Sequence, residues 1–328
     1  MLVLSAADLR QLITMEEAIQ AVAVALRESS AGRAVVPIRT AIPVSQANGT
    51  SLFMPALVQA TDSLGGKFVS VFPMNKGKGK ETIYGVMILS DVDTGEPLAL
   101  LEASQLTILR TGAAAGLATR HLARTDASVL GVIGTGAQAT GVIEAILAVR
   151  PLREIRLYNR TPAKAEELAG RLRQQVTGVR LEVVAEADRA VAGADIVVTA
   201  TNHATPVFSA EVVSAGTHIN AIGSFRPEMQ ELPTEIIAGA DKVVVESREA
   251  ALEETGDLIV PIEQGVFTSQ QLHAELGEIV AGTRAGRERD QELTVFKSVG
   301  LAAMDVVVAR QIYERARERE IGQRVVLW

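Results

Sequence analysis

The stretch Ser128–Thr161, SVLGVIGTGAQATGVIEAILAVRPLREIRLYNRT, decides how the rest of the chain is read. Val129–Ile133 is an apolar, partly β-branched run of the kind that forms a buried strand. It breaks into Gly134-Thr135-Gly136-Ala137-Gln138-Ala139, after which Val142, Ile143, Ile146 and Leu147 fall on one helical face. Ile155–Tyr158 is a second apolar strand. Strand, Gly-x-Gly-x-x-Ala turn, helix and strand form the first half of a dinucleotide-binding Rossmann fold. Gly134 permits the tight turn, Gly136 removes the Cβ that would hold a pyrophosphate off the backbone, and Ala139 lets the helix sit against the strand. The exposed N–H groups and the positive end of the helix then receive the phosphates. The glycine pattern alone is a weak signal; a strand on either side of it makes it a strong one.

The second strand ends Tyr158-Asn159-Arg160-Thr161. An NAD-specific site carries Asp or Glu about here, roughly twenty residues past the turn, to bind the adenosine ribose hydroxyls. A carboxylate would repel a 2′-phosphate, whereas an Arg fork can pair with one. Neutral Asn159, cationic Arg160 and hydroxyl-bearing Thr161 therefore favour NADP(H), with NAD(H) still usable. Thr161-Pro162 also has the composition of a helix start, Thr at the N-cap and Pro at the first helical position.

Working outward, the 328 residues suit two domains, and 48% hydrophobic residues suffice for both cores. A net charge of −7 argues against nucleic acid or anionic membranes as partners. With no cysteine, disulfides, thiolate metal sites and thiol nucleophiles are excluded. No secretory signal opens the sequence and no apolar run reaches the length of a membrane span, so a cytoplasmic protein is expected.

On the N-terminal side, Thr14-Met-Glu-Glu17 has capping-box spacing and opens a helix through Ile19, Val22 and Leu26 to Gly32. Val35–Val44, Ser51–Val58, Gly66–Phe72, Tyr84–Ser90 and Leu98–Glu102 are short strand-like runs between turn residues, mostly antiparallel in character. The Asn75–Glu81 segment, NKGKGKE, reads as a solvated, mobile hairpin. Ser104–Ala123 is a helix with an unusually small face at Thr111-Gly112-Ala-Ala-Ala-Gly116, and Thr125-Asp126 a plausible hinge. Past the Rossmann start, strands at Leu181–Val184, Asp195–Ala200, His218–Ile222 and Lys242–Glu246 continue a parallel, doubly covered sheet. A last long helix, Ser298–Glu320, has no further domain after it and is expected to pack back on the N-terminal part. The reading is thus α/β: a Rossmann domain over 126–297, and a discontinuous α+β domain for substrate binding and dimerisation over 1–125 and 298–328.

Four cations stand in apolar or small-residue settings: Arg39, Lys67, Arg110 and Lys297. Buried Lys and Arg are rare unless paired. One alone would be read as a structural ion pair; several beside a hydride-transfer cofactor suggest an anionic substrate group, and an Arg fork with a Lys suits an α-carboxylate. Lys67, which can lose its proton where Arg cannot, is the acid–base candidate. His121, His203, His218 and His273 are scattered without metal or triad spacing.

Gly-Lys67-Phe-Val-Ser with a following Asn75, Arg110-Thr-Gly-Ala-Ala-Ala-Gly, Gly-Thr-Gly-Ala-Gln-Ala and Thr294-Val-Phe-Lys-Ser-Val-Gly300, in that order, resemble the ornithine cyclodeaminase/μ-crystallin family over essentially the whole chain. The resemblance implies a homodimer built through the β-rich domain and a small imino- or amino-acid substrate bound in a cleft facing the nicotinamide. It implies that Arg39, Lys67 and Arg110 hold the substrate carboxylate, with Thr82 lining the site. Arg110, Thr111, Thr201, Ser224, Lys297, Val299 and Gly300 would then lie along the cofactor. Cyclodeaminases of the family carry a Gly-Asp pair after the His218–Ile222 strand, where this chain has Gly223-Ser224. A serine hydroxyl is too weak a base for deamination and ring closure, which moves the expectation to the ketimine reductase and alanine dehydrogenase branches. The expected reaction is NAD(P)H-dependent reduction of a cyclic ketimine carboxylate, Δ1-pyrroline-2-carboxylate to L-proline in the first instance. Ornithine cyclodeaminase, with Glu228 as a shifted base, alanine dehydrogenase and a non-enzymatic ligand-binding protein are the alternatives.

Overall fold

A computed structural model describes residues 1–327; Trp328, at the end of the expected second segment, and the side chain of Lys76 lie outside the description. The chain divides into two compact units: Met1–Arg110 together with the chain from Leu301 onward, and Thr111–Gly300.

The first unit opens with β1 (Leu2–Leu4), α1 (Ala6–Leu12) and α2 (Met15–Ser30). Thr14 caps α2 in a capping box with Glu17, as the spacing predicts. The expected Val35–Val44 strand is instead two, β2 (Ala34–Val35) and β3 (Thr40–Val44). Pro37 lies in the break between them and supplies no N–H for a continuous ladder, and the register against β4 shifts by one residue across the break. Arg39 sits in the resulting gap. The strands β4 (Gly49–Val58), β5 (Ser63–Val71), β6 (Ile83–Ser90) and β7 (Pro97–Glu102) follow in antiparallel succession. The Lys-rich segment between β5 and β6 is a short 3-10 turn, Pro73–Lys78, closed by Asn75 Nδ2 donating to the Glu81 carbonyl at 2.9 Å.

α3 (Ala103–Leu122) runs through the division between the units, so the boundary falls inside this helix rather than at the expected 125/126. The reason is its small face. A Cβ on Gly112 would lie 2.3 Å from the Gly141 carbonyl oxygen, a backbone approach that only glycine permits, and it attaches the second half of α3 to the nucleotide-binding unit. Buried Arg150 fastens the C-terminal end, its guanidinium donating to the carbonyls of Thr119, Ala123 and Arg124.

In that second unit β8 (Val129–Ile133), α4 (Ala137–Val149), β9 (Glu154–Tyr158), α5 (Pro162–Gln175), β10 (Arg180–Val183), α6 (Ala187–Val191), β11 (Ile196–Thr199) and β12 (His218–Ala221) alternate as expected. Then come α7 (Thr234–Gly239), β13 (Lys242–Val245), α8 (Arg248–Glu254), α9 (Gly256–Glu263), β14 (Leu272–Glu275), α10 (Leu276–Val280) and β15 (Thr294–Lys297). The elements from α8 to α10 escape the sequence pattern because each is short and α9 carries an internal proline, Pro261. All strands pair in parallel, in the order β10-β9-β8-β11-β12-β15-β13-β14. Leu130, Val132, Ile196 and Val198 face one hydrophobic core with α4 and α5; Val197, Ile219, Val243 and Val295 face another with α6 and α7. Strand order reverses direction between β8 and β11, the switch point at which such sheets bind ligands.

The last helix, α11, is shorter than expected, Ala302–Glu318. Residues 298–300 are an irregular link in which Gly300 takes φ +88°, a left-handed conformation open to glycine. β16 (Gln323–Arg324) completes the first unit's sheet, ordered β16-β1-β7-β6-β5-β4-β2 with β3 on β4. α11 packs on α2 and over one face of β4, β5 and β6. On that face Met54, Lys67, Met87 and Leu101 stand in one cross-strand row. On the opposite face Phe53, Phe68 and Val86 align, with Ile42, Tyr84 and Ile88 exposed near them. No helix among the described residues is long and apolar enough to cross a membrane.

Candidate active site

The nucleotide-binding turn is built as its composition requires. Gly134 has φ +92°, and a Cβ there would meet the Ala200 carbonyl oxygen at 2.5 Å, so the turn lies against the end of β11. A Cβ on Gly136 would meet nothing within 4 Å: the space in front of the turn is open. Gly136 is the N-cap of α4 and no side chain caps the helix; Ala139 N–H donates to the Gly136 carbonyl at 3.1 Å, and the N–H groups of Ala137 and Gln138 ahead of it have no partner from the helix itself. The Gln138 side-chain oxygen is also buried and unpaired among the described residues. Asn159 Nδ2 donates to Thr135 Oγ1 at 2.7 Å, and Asn159 Oδ1 accepts the Thr161 N–H at 3.0 Å. Thr161 holds the N-cap position of α5 without a side-chain capping bond. Arg160 is exposed beside it. Open space, unpaired donors and a helix N-terminus at the switch point fit a dinucleotide.

The ends of β11, β12 and β15 are tied by buried carboxylates that the sequence pattern did not single out. Glu231 accepts the Thr201 N–H at 2.6 Å, the Gly223 N–H at 2.7 Å and the Ser224 N–H at 3.1 Å. Asp257 accepts the N–H groups of Glu231 at 2.6 Å and Leu232 at 2.9 Å. Lys297 Nζ lies 2.9 Å from Asp257 Oδ2, at ion-pair distance but out of line for a hydrogen bond, and both side chains are wholly buried. Burial pushes the Glu231 carboxyl above the usual carboxylate range; Lys297 pulls against this and Asp257 adds to it. Glu246 accepts from Ser298 Oγ at 2.6 Å and Gly300 N–H at 2.7 Å, and so holds the link containing Val299 and Gly300. The Lys297 ammonium thus belongs to the scaffold beneath the strand ends.

Ser224 is fully buried, with its Oγ donating to the Met229 carbonyl and lying 2.6 Å from Thr255 Oγ1. Its hydroxyl holds the loop together. Glu228 has a side chain 68% exposed and pairs with Arg226 at 3.9 Å, a solvated surface contact. Thr201 follows the end of β11, and Thr111 is buried within α3; among the described residues nothing brings the two together. His203 is exposed and bonded to Thr205; His218 is buried, its Nδ1 against Thr294 Oγ1 at 3.0 Å.

In the other unit three charges converge. Lys67 is 3% exposed, Arg110 6% and Asp305 0%. Lys67 Nζ is 2.8 Å from both carboxylate oxygens of Asp305 and 3.3 Å from Thr107 Oγ1. Arg110 Nε donates to Asp305 Oδ1 at 3.1 Å. Burial lowers the Lys67 ammonium to about 8, with the positive charges of Arg110 and Arg39 acting in the same direction and Asp305 opposing them. Arg39 is therefore part of the same electrostatic neighbourhood, half-buried in the gap between β2 and β3. Thr82, partly buried, accepts the Phe72 N–H through its carbonyl at 2.7 Å. Asp305 is the residue missed: it lies 238 positions from Lys67, in a first helical turn where an acid reads as a favourable helix start.

The ornithine cyclodeaminase/mu-crystallin family profile matches residues 1–320. The chain belongs to that family. It is 54% identical over 325 residues to the Delta(1)-pyrroline-2-carboxylate reductase of Bacillus cereus, covering 99% of both chains. Among solved structures of similar fold is Thermococcus litoralis Delta(1)-pyrroline-2-carboxylate reductase in complex with NADH and L-proline. It matches at TM-score 0.95 and 40% identity, over 99% of this chain and 100% of that one. An archaeal alanine dehydrogenase dimer with bound NAD matches at TM-score 0.93 and 37% identity, over 100% of this chain and 99% of that one.

Proposed function

We propose that this family member reduces cyclic ketimine carboxylates with a nicotinamide cofactor, and that Δ1-pyrroline-2-carboxylate to L-proline is its reaction. The observation that carries the reading is the buried cluster in which two cations, Lys67 and Arg110, share the one carboxylate of Asp305, with half-buried Arg39 beside it. A buried excess of positive charge calls for an anion, and an α-carboxylate supplies one. An ammonium lowered to about 8 keeps its proton at neutral pH yet can give it up, the property needed to protonate an imine nitrogen as it becomes an amine. The similarity to reductases named for this substrate, one of them bound to NADH and L-proline, supports the same reading.

The bound nicotinamide supplies hydride to the imine carbon. The chain's own residues hold the substrate carboxylate through Arg39 and Arg110, and Lys67 delivers the proton to nitrogen; fixing the partners in this way makes the reaction effectively unimolecular. The cradle of Thr135, Gly136, Ala137 and Gln138 takes the pyrophosphate. Asn159, Arg160 and Thr161 favour NADP(H), because no carboxylate opposes a 2′-phosphate and exposed Arg160 can pair with it. The working form is a cytoplasmic homodimer whose contact is the apolar face carrying Phe53, Phe68, Val86 and Ile88, a patch too apolar to be left to solvent. Cyclodeamination is disfavoured, since Ser224 is a bonded hydroxyl and Glu228 a solvated one-charge neighbour of Arg226.

The test is oxidation of NADPH and NADH with Δ1-pyrroline-2-carboxylate, its six-membered homologue and pyruvate plus ammonia, beside ammonia release from ornithine. Proline formation from the five-membered imine, with negligible ammonia from ornithine, is expected. Robust ornithine turnover without imine reduction would overturn the reading.

A further inference from the structure

We propose that Asp305 is the positioning counter-ion of the reaction: its two carboxylate oxygens hold the Lys67 ammonium protonated and aimed, and its Oδ1 also fixes Arg110 through Nε. The inference rests on the reading of Lys67 as the proton donor.

The geometry supports it atom by atom. Lys67 projects from the inner face of β5 into a row otherwise made of Met54, Met87 and Leu101, where a lone ammonium would be costly. α11, lying over β4, β5 and β6, brings Asp305 to that face from its first turn. An ammonium has three N–H groups. Two point at Asp305 Oδ1 and Oδ2, each at 2.8 Å, and the third reaches Thr107 Oγ1 at 3.3 Å. The Thr107 contact is the longest and the only one to a neutral group, so it is the one that a substrate nitrogen displaces. The carboxylate, itself anchored by Arg110 at 3.1 Å, stays in place while this happens.

The proton accounting is simple. Hydride adds to the imine carbon, the C=N π pair moves to nitrogen, the Nζ–H bond breaks and the new N–H bond forms. Neutral Lys67 then regains a proton from water, which the adjacent carboxylate favours. The charged groups facing Lys67 are Asp305, Arg110 and Arg39. Asp305 is the only one of the three that holds the proton on; the two arginines and burial drive it off. Without Asp305, Lys67 would lose its proton at a lower pH.

The experiment is the pH profile of kcat/KM for Δ1-pyrroline-2-carboxylate reduction in the parent, Asp305→Asn, Asp305→Glu and Lys67→Met proteins, with NADPH affinity and thermal unfolding measured on each. In the parent, activity should fall on the alkaline side around pH 8. Asp305→Asn should move that fall to lower pH by about one to three units, the range for losing an opposite charge at contact distance, so that its deficit is worst at pH 8 and shrinks toward pH 6. Asp305→Glu should keep the fall near the parental pH while raising KM. A folded Asp305→Asn protein with lower kcat at every pH but an unmoved alkaline fall would overturn the role. If Asp305→Asn does not fold, Asp305→Glu decides alone: an alkaline fall displaced by a unit or more, with the charge retained, refutes it. Lys67→Met separates the two ideas. Should that variant still reduce the imine, the donor reading fails. Should it be inactive while the Asp305 profiles do not move, the donor stands and the counter-ion role falls.

Discussion

The two units each bury an ion cluster, and the clusters are opposites. In the mixed-sheet unit two buried cations, Lys67 and Arg110, share one carboxylate, Asp305. In the nucleotide-binding unit one buried cation, Lys297, stands beside two carboxylates, Asp257 and Glu231. The second cluster is held from within: five backbone N–H groups, those of Thr201, Gly223, Ser224, Glu231 and Leu232, donate to Glu231 and to Asp257 Oδ1, while Asp257 Oδ2 faces Lys297 as an ion pair. Its bonds run to the backbone at the ends of β11 and β12 and hold those strand ends in register. The first cluster has two buried cations to one carboxylate, the imbalance on which the proposed substrate-carboxylate site rests. Buried charge is therefore a scaffold in one unit and the proposed carboxylate site in the other, and the ratio of cation to anion is what separates them.

Exchanging each lysine for methionine is the sharpest way to break this contrast. Lys297→Met leaves two carboxylates buried with no cation and should cost about 3–5 kcal/mol of stability, the usual penalty for breaking a buried pair. Lys67→Met leaves Asp305 its bond from Arg110 and places an apolar side chain in a row of apolar ones. It should destabilise far less, yet abolish turnover while cofactor affinity is kept. Urea unfolding and kcat/KM on both variants test the pair of outcomes; equal losses of stability would remove the distinction.

A smaller effect is expected at the rim of the nucleotide unit, where a cation is exposed rather than buried. Arg160→Ala should weaken NADPH by about 1.5–3 kcal/mol, the worth of a charge-assisted hydrogen bond, and leave NADH almost untouched. Equal KM values for the two cofactors in the parent would remove the basis for this prediction.

Third comes His218, which is buried and lowered to about 3, first by burial and then by the charge of Arg287. The unfolded chain binds a proton near pH 6.5 that the folded chain refuses until about pH 3. Its contribution is thus complete above pH 6.5 and is lost as pH falls, by about 1.4 kcal/mol for each pH unit. Unfolding free energy measured from pH 7 to 5, above most carboxylate titrations, should show this slope, and His218→Asn should flatten it. An unchanged slope in the variant would assign the acid sensitivity elsewhere.

Local chemistry made much of the molecule readable in one dimension. The strand–turn–helix around Gly134 and Gly136, the capping box at Thr14 and Glu17, and the parallel alternation of strands and helices follow from periodicity, turn residues and caps, all of which act over a few residues. The cations at 67, 110 and 297 stood out because they interrupt apolar runs. Sequence alone could not say what each one faces. Lys67 meets Asp305 only because α11 returns across the first sheet, and Lys297, at the end of β15, meets Asp257 only because the first turn of α9 is brought to it. The same long-range decision closed the Ser224 hydroxyl onto Met229 and Thr255, left Glu228 in solvent, and set the unit boundary inside α3 through the approach of Gly112 to Gly141. Periodicity reports which side of an element is buried; the partner of a buried charge is fixed by packing between segments tens to hundreds of residues apart, and no local pattern carries that information.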